Sequence, residues 1–544
     1  MDKKIKTLTK EDLKGFKRGF LEEFTFSLMQ QLEQMNRQME QLTDQINTLN
    51  REKYGRRSER LDKVTPGQLE LCFNESEVTI AEASCGQPEE PTVSDVNPNN
   101  TDISPKKRKE HPKQSREDII KALPEEEVPY ELKGSELRDE CGGTFRAIGS
   151  EVIQRLEFTP ATFKVINQRV YSYKCDNCGK IVRADHPLPV FEGSLASSSL
   201  LAGIATAKFT NALTYYRLES TFADAGAFLS RQTMARWMIR AAEEYFSLLY
   251  DRFIEELLRC PVIHADETTV EVKKDGRKPG SKSYMWVYTK ESSERPVVIY
   301  EYQKTRASEH PKDFLKDYSG FLCCDGYEGY HSLNSSITIC GCWTHARRHY
   351  SNAVKGLKNK PERKGEYLVS EKALEMIADM FHTDNRWKGL SREERHHNRN
   401  TILKEKIDAY YNWINKVIST VPPKSETGKG LYYSLNQKKY LLGFLSDPDV
   451  PLDNSEAERK IRNFVISRKN FVLIDTMEGA RASAIMFSMS ETVKANKLKP
   501  YEYFEYVLSE MPKHMRGSSK DMHFLDDLMP WSDKLPERIH KVEK

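Results

Sequence analysis

Apolar residues fall at Leu28, Leu32, Met35, Met39, Leu42, Ile46 and Leu49, alternately four and three positions apart, with Gln, Glu, Arg and Asn between them. The spacing predicts an a/d seam of about three heptads, a short coiled coil. Its narrow stripe and polar flanks favour self-association over docking on its own domain. Gly55 stops the helix, and Arg56, Arg57 and Arg60 follow as a small basic cluster. Between residues 62 and 130 periodicity is lost and Pro, Ser, Asn, Asp and Glu dominate, which predicts a flexible linker. A basic run inside it, Lys106-Lys107-Arg108-Lys109, is either solvated or a sequence-independent contact to DNA phosphates.

Helical patterning occupies Ser197 to Leu249, with one helix opening around Leu200–Ile204 and another at Tyr215. The stretch Gly226 to Met238 has the form of the turn and second helix of a helix-turn-helix. Ser230 stands at the cap, and Arg231, Gln232 and Arg236 project from the helix as candidate DNA contacts. Strands follow. Val262 to Val272 runs apolar up to Asp266-Glu267 and then alternates, the pattern of a strand with one buried face. Ser283–Thr289 and Pro296–Tyr302 complete a three-stranded antiparallel meander. Phe321–Cys324 is a fully apolar strand ending at Asp325, and Ile337–Trp343 is a fifth strand leading into a basic helix with His345, Arg347 and Arg348. Between them, Pro311–Tyr318 suits a helix. This succession describes an α/β, ribonuclease-H-like core, in which the first and fourth strands lie side by side and bring Asp266 and Asp325 together.

Amphipathic helices fill 351–445, a helical insertion whose helices pack on one another. Pro451 and an Asp453-Asn454 cap then start a helix carrying Glu456 and Glu458 in its first two turns. These point roughly 200° apart, so only one can serve a common site. Ala457 and Ile461 mark its buried stripe, flanked by Arg459, Arg462, Arg468 and Lys469, which suit phosphates.

Composition narrows the reading. At 544 residues the chain needs three or four units, and a net charge of +3 leaves any nucleic-acid role to local basic patches. No apolar run approaches the roughly 20 residues that span a bilayer, and the charged start carries no signal segment, so a cytoplasmic protein is expected. Ten cysteines in so charged a chain do not form a secreted disulfide framework. Cys175 and Cys178 form a Cys-x-x-Cys-Gly knuckle suited to zinc. Cys141 is its earlier partner, but Arg138 stands where that knuckle's first cysteine belongs. Three thiolates with Asp139, His186 or water make an incomplete Zn²⁺ set, and a former zinc module held by packing is the alternative.

Together, His-Ala-Asp-Glu-Thr from His264, Cys-Asp-Gly-Tyr-x-Gly-Tyr from Cys324, Gly-Cys-Trp-x-His-Ala-Arg-Arg from Gly341 and Asp-Asn-x-x-Ala-Glu-Arg from Asp453, with Arg-Lys-Asn at Arg468, resemble the insertion-sequence-66-type bacterial transposases. The likeness covers nearly the whole chain. It implies a DDE core in which Asp266, Asp325 and Glu458 are catalytic and hold two Mg²⁺ (or Mn²⁺) ions. It also implies cleavage of element ends and transfer of the 3′-hydroxyl to target DNA, with accessory proteins of the same element and a place at the bacterial nucleoid. Cys342 and His345 match a Cys-x-x-His element of such enzymes and are assigned to strand positioning, with metal or DNA contact as the alternative. Arg347 and Arg348 join the candidate DNA contacts. The expected layout is 1–61 coiled coil, 62–130 linker, 131–190 zinc-ribbon-like module, 191–258 helical DNA-binding segment, 259–350 first part of the core, 351–445 insertion, 446–500 third-carboxylate helix, and 501–544 C-terminal segment. A nuclease or resolvase that cuts without joining, and a DNA-binding protein that has lost catalysis, are the rival readings.

Overall fold

The computed structural model describes residues 30, 34, 163–167, 171–174, 181–183, 187–278, 280–290, 294–355, 368–515 and 522–541. The expected coiled coil (save Gln30 and Gln34), the linker, and the Cys141, Cys175 and Cys178 set lie outside the described residues. A two-stranded antiparallel ribbon, β1 (Ser172–Lys174) and β2 (Ile181–Arg183), flanks the Cys175–Cys178 stretch in sequence.

Four helices follow: α1 (Ser198–Ala205), α2 (Tyr215–Asp224), α3 (Arg231–Ala241) and α4 (Ser247–Leu258). Ser230 caps α3 as expected, its hydroxyl accepting from Thr233 N at 3.2 Å. The turn before it bends at Gly226, whose φ of +84° favours glycine.

The sheet comprises β3 (Val262–Lys274), β4 (Lys282–Lys290), β5 (Val297–Gln303), β6 (Gly320–Cys324) and β7 (Ile337–Gly341), in spatial order β5-β4-β3-β6-β7. β3, β4 and β5 form the antiparallel meander, whereas β6 runs parallel to both β3 and β7. Helix α5 (Glu309–Phe314) links β5 to β6, and α6 (Trp343–Lys355) leaves β7. The alternation expected after Asp266-Glu267 holds through Val272. Ile263, His264 and Ala265 are all buried, because packed elements cover both faces of the strand there.

The insertion is helical: α7 (Val369–Asn385), α8 (Arg392–Asn398), α9 (Lys404–Val417), α10 (Glu426–Asn436) and α11 (Lys438–Leu441). Its core of Trp343, Tyr410, Tyr411 and Leu431 includes Cys323 of β6 and Cys340 of β7, so it is seated on the sheet rather than free of it. Fully buried Arg399 ties it together. The guanidinium bonds Asp384 (Nε to Oδ1, 2.6 Å) and the carbonyls of Asp447 and Val450, just ahead of the third-carboxylate helix.

That helix, α12 (Ser455–Phe471), is followed by β8 (Ile474–Thr476), which pairs with the far end of β3, and by α13 (Met477–Ala495) and α14 (Pro500–Met515). Helix α13 covers the open edge of the sheet. Ser488 Oγ accepts from Tyr300 N at 2.7 Å and Thr492 Oγ1 from Val298 N at 3.0 Å, satisfying amides of β5 that face no strand.

Candidate active site

Parallel pairing sets Val262 beside Phe321, Ile263 beside Leu322 and His264 beside Cys323. The same register carried two residues on puts Asp266 beside Asp325, the residue that follows the last of β6. Each carboxylate is oriented by a nearby amide: Asp266 Oδ1 accepts from Glu267 N at 2.9 Å, and Asp325 Oδ1 from Tyr327 N at 2.9 Å. Burial, and then the charges of Glu267, Asp325 and Glu458, push Asp266 well above the usual carboxylate range. Acids from three elements thus act on one carboxyl.

Glu458 arrives there because α12 is tied to β3. Asn454, fully buried, precedes α12, but its side chain does not cap the helix as expected. Its Nδ2 donates to Ala265 O at 2.7 Å, which turns Oδ1 toward His264 Nδ1 at 2.9 Å. A buried amide must satisfy both ends, and the strand offers partners that the helix start does not. Asp453 takes over locally, Oδ1 accepting from Ser455 N at 3.2 Å. Glu456 and Glu458 diverge as their spacing requires, yet both are buried. Glu456 Oε2 lies 3.7 Å from His264 Nε2, while Glu458 Oε2 lies 3.2 Å from Arg348 Nη2 and Oε1 3.5 Å from His345 Nδ1.

Glu267 points away from Asp266, into a separate pocket of partners. Arg306 grips Oε1 through Nε at 2.7 Å, and Tyr330 donates to Oε2 at 2.8 Å. Burial and Asp325 raise this carboxyl to about 7, although Arg306 and Tyr330 pull the other way. Arg306 Nη2 also stands 3.9 Å from Asp325 Oδ2. Nothing in the loop after β5 distinguishes Arg306 in the sequence. Tyr433, reaching in from α10, is another contributor without a sequence signal; a Cβ on Gly326 would come within 2.8 Å of its ring.

The basic candidates separate into groups. Arg348 is engaged by Glu458, and Arg347 beside it is half-buried. Arg459 and Lys469 are exposed and Arg462 is half-buried along α12. Arg468 differs: Nη1 binds the Thr269 carbonyl and Thr268 Oγ1 (3.1 Å), fastening α12 to β3. Arg231, Gln232 and Arg236 stand exposed on α3, away from the carboxylates. Cys342, at the end of β7, and His345, in the first turn of α6, converge on Glu458.

The charges of Asp325 and Glu458 thus bear on Asp266, and Arg306 and Arg348 stand beside Asp325 and Glu458.

Comparison with known proteins identifies the family of the chain. The model of the transposase IS66 family matches residues 193–482, which contain all three carboxylates. A model described as transposase C of IS166 homeodomain matches 41–128, and the zinc-finger binding domain of transposase IS66 matches 139–179. Among relatives, the uncharacterized protein y4qI of Sinorhizobium fredii is 27% identical over 93% of this chain and 90% of its own length. The uncharacterized protein y4jD of the same organism is 25% identical over 93% of this chain and 97% of its own.

Proposed function

Because the chain belongs to the IS66 transposase family, we propose that it binds the ends of an insertion sequence and carries out metal-dependent cleavage and 3′-hydroxyl strand transfer on DNA. One observation carries the reading: the charges of Asp325, after β6, and of Glu458, from α12, both act on buried Asp266 of β3. The strand order β5-β4-β3-β6-β7, with β4 antiparallel and β6 parallel to β3, supports a ribonuclease-H-like core.

The donor set fits magnesium or manganese. It is all oxygen, and the surrounding acids raise the affinity of Asp266 for positive charge. Two such ions held by Asp266, Asp325 and Glu458 would supply positive charge to the attacking and leaving oxygens of the scissile phosphate. The protein does the rest by position. Arg348 orients Glu458, and Arg306 with Tyr330 holds Glu267, so that β3 presents Asp266 alone. Arg347, Arg459, Arg462 and Lys469 are assigned to DNA phosphates near the cut, and Arg231, Gln232 and Arg236 of α3 to the element end.

Further from the core, Cys141, Cys175 and Cys178 are assigned to a zinc ion within the zinc-finger match, with Arg138 leaving its ligand set one cysteine short. Self-association through the heptad seam, target DNA and accessory proteins of the element complete the assembly. Among the described residues no helix is long and apolar enough to cross a membrane.

Labelled element ends incubated with the full chain and Mg²⁺ test the reading. Cleaved ends joined to target DNA are expected, with Asp266→Asn binding ends but neither cutting nor joining. Cutting without joining would point to a nuclease instead, and retained cutting in Asp266→Asn would sink the carboxylate assignment.

A further inference from the structure

We propose that Cys342, His345 and Glu458 form a second cation site, built for a thiophilic divalent ion of the zinc class rather than for magnesium. One donor from each of these side chains lies within 4.8 Å of the other two. The Cys-x-x-His spacing turns the strand end into the first turn of α6 and aims the sulfur and the imidazole at the same point. Glu458 enters from α12 on the opposite side.

Three features point to an ion rather than to packing. First, His345 Nδ1 is buried without a hydrogen-bond partner, yet faces Glu458 Oε1 at 3.5 Å. A buried ring nitrogen with no hydrogen-bond partner, beside a carboxylate, is a position that a bound ion would satisfy. Second, ligands 2.0–2.3 Å from a tetrahedral zinc stand roughly 3.3–3.7 Å apart, the spacing of that pair, and the other donor pairs lie within 4.8 Å. Third, Arg348 Nη2 stands closer to Glu458 Oε2 (3.2 Å) than to Oε1 (3.5 Å), so Oε1 is the more open of the two oxygens to an ion. Thiolate and imidazole select zinc, cobalt or cadmium over magnesium, so this site takes a different ion from the all-oxygen site, with which it shares Glu458 as a bridging carboxylate. Three protein ligands leave one position for water. The thiol proton of Cys342 is released to solvent on binding. An ion here clamps the end of β7 to α12, so binding stabilises the fold whether or not the chain cuts DNA.

Cobalt(II) titration of the metal-stripped full chain, followed by its thiolate-to-cobalt absorption and by thermal unfolding, tests this site. Cys342→Ser and His345→Gln should each bind one equivalent fewer than the unaltered chain and lose part of the cobalt-induced rise in Tm. Cys260→Ser, a half-buried cysteine at the start of β3, should match the unaltered chain. Should Cys342→Ser fail to fold, His345→Gln carries the comparison, since its imidazole makes no other hydrogen bond through Nδ1. Folded variants that bind as many equivalents as the unaltered chain would overturn the site. Because the readout is metal content and stability, it is independent of whether strand transfer is observed.

Discussion

Asn454 and His264, separated by 190 positions, meet side chain to side chain at 2.9 Å in a buried contact. Through it, and through Asn454 Nδ2 on the Ala265 carbonyl at 2.7 Å, the helix bearing Glu458 is fastened to the strand bearing Asp266. Asn454→Ala leaves the Ala265 carbonyl and the His264 ring without their partner. Unsatisfied buried groups cost about 1–3 kcal/mol each. Thermal unfolding should show a Tm several degrees lower, and strand transfer should fall further than stability does, because Glu458 is no longer held in register. A variant with unchanged Tm would mean the contact holds nothing.

Charge repulsion within the carboxylate cluster makes the opposite prediction for Asp325. Its charge raises both Asp266 and Glu267. Asp325→Asn relieves that repulsion and should raise Tm without divalent cation by roughly 1 °C, about 1 kcal/mol. The same change should abolish the stabilisation by Mg²⁺ expected of the unaltered chain, which at ten times Kd is about 1.4 kcal/mol. Differential scanning calorimetry with and without Mg²⁺ distinguishes the two. A variant that still gains full stability from Mg²⁺ would remove Asp325 from the ion's ligands.

The helical insertion should melt in acid before the sheet does. Burial alone would raise Asp384, but the Arg399 and Arg395 guanidiniums beside it hold its carboxyl below the usual range. The contact with His349 and the neighbouring Lys429 bring Glu426 down to about 2, against partial burial. A carboxyl depressed in the folded state adds stability above its unfolded pKa and loses it as pH falls through the folded one. For Glu426 that window runs from its ordinary 4.5 down to about 2. Circular dichroism during acid titration should show helix loss starting below about pH 4.5. Asp384→Asn should bring that loss forward, and Arg399→Met, which strands a buried acid, should cost about 3–5 kcal/mol at neutral pH.

Edge protection by α13 is testable at one hydroxyl. Ser488→Ala leaves the Tyr300 amide of β5 unpaired in a buried setting, a cost of about 1–3 kcal/mol. Hydrogen exchange at the Tyr300 amide should accelerate well beyond the change at Val287 on the central side of the meander. Equal protection in both proteins would show that another group has taken the amide.

Much of this protein is written in short-range pattern. Alternation and β-branched runs mark β3 to β7, the Gly226 turn and Ser230 cap mark α3, and amphipathic spacing marks the insertion; these signals come from neighbours within one or two turns. Divergence of Glu456 from Glu458 likewise follows from helix geometry alone. The motifs around Asp266, Asp325 and Glu458 are also legible, and with them the family.

The tertiary structure decided where side chains with several local options spend them. Asn454 reads as a cap, yet it serves β3, since a buried amide takes the partners that satisfy both its ends. Arg468 reads as a phosphate contact, yet it binds the Thr269 carbonyl. Arg306 and Tyr433 carry no signal at all, because what matters is which distant strand or helix each meets. Short-range pattern selects helix and strand through local backbone energetics. Partners hundreds of positions apart are chosen only when packing brings them together and removes the water that would otherwise satisfy them.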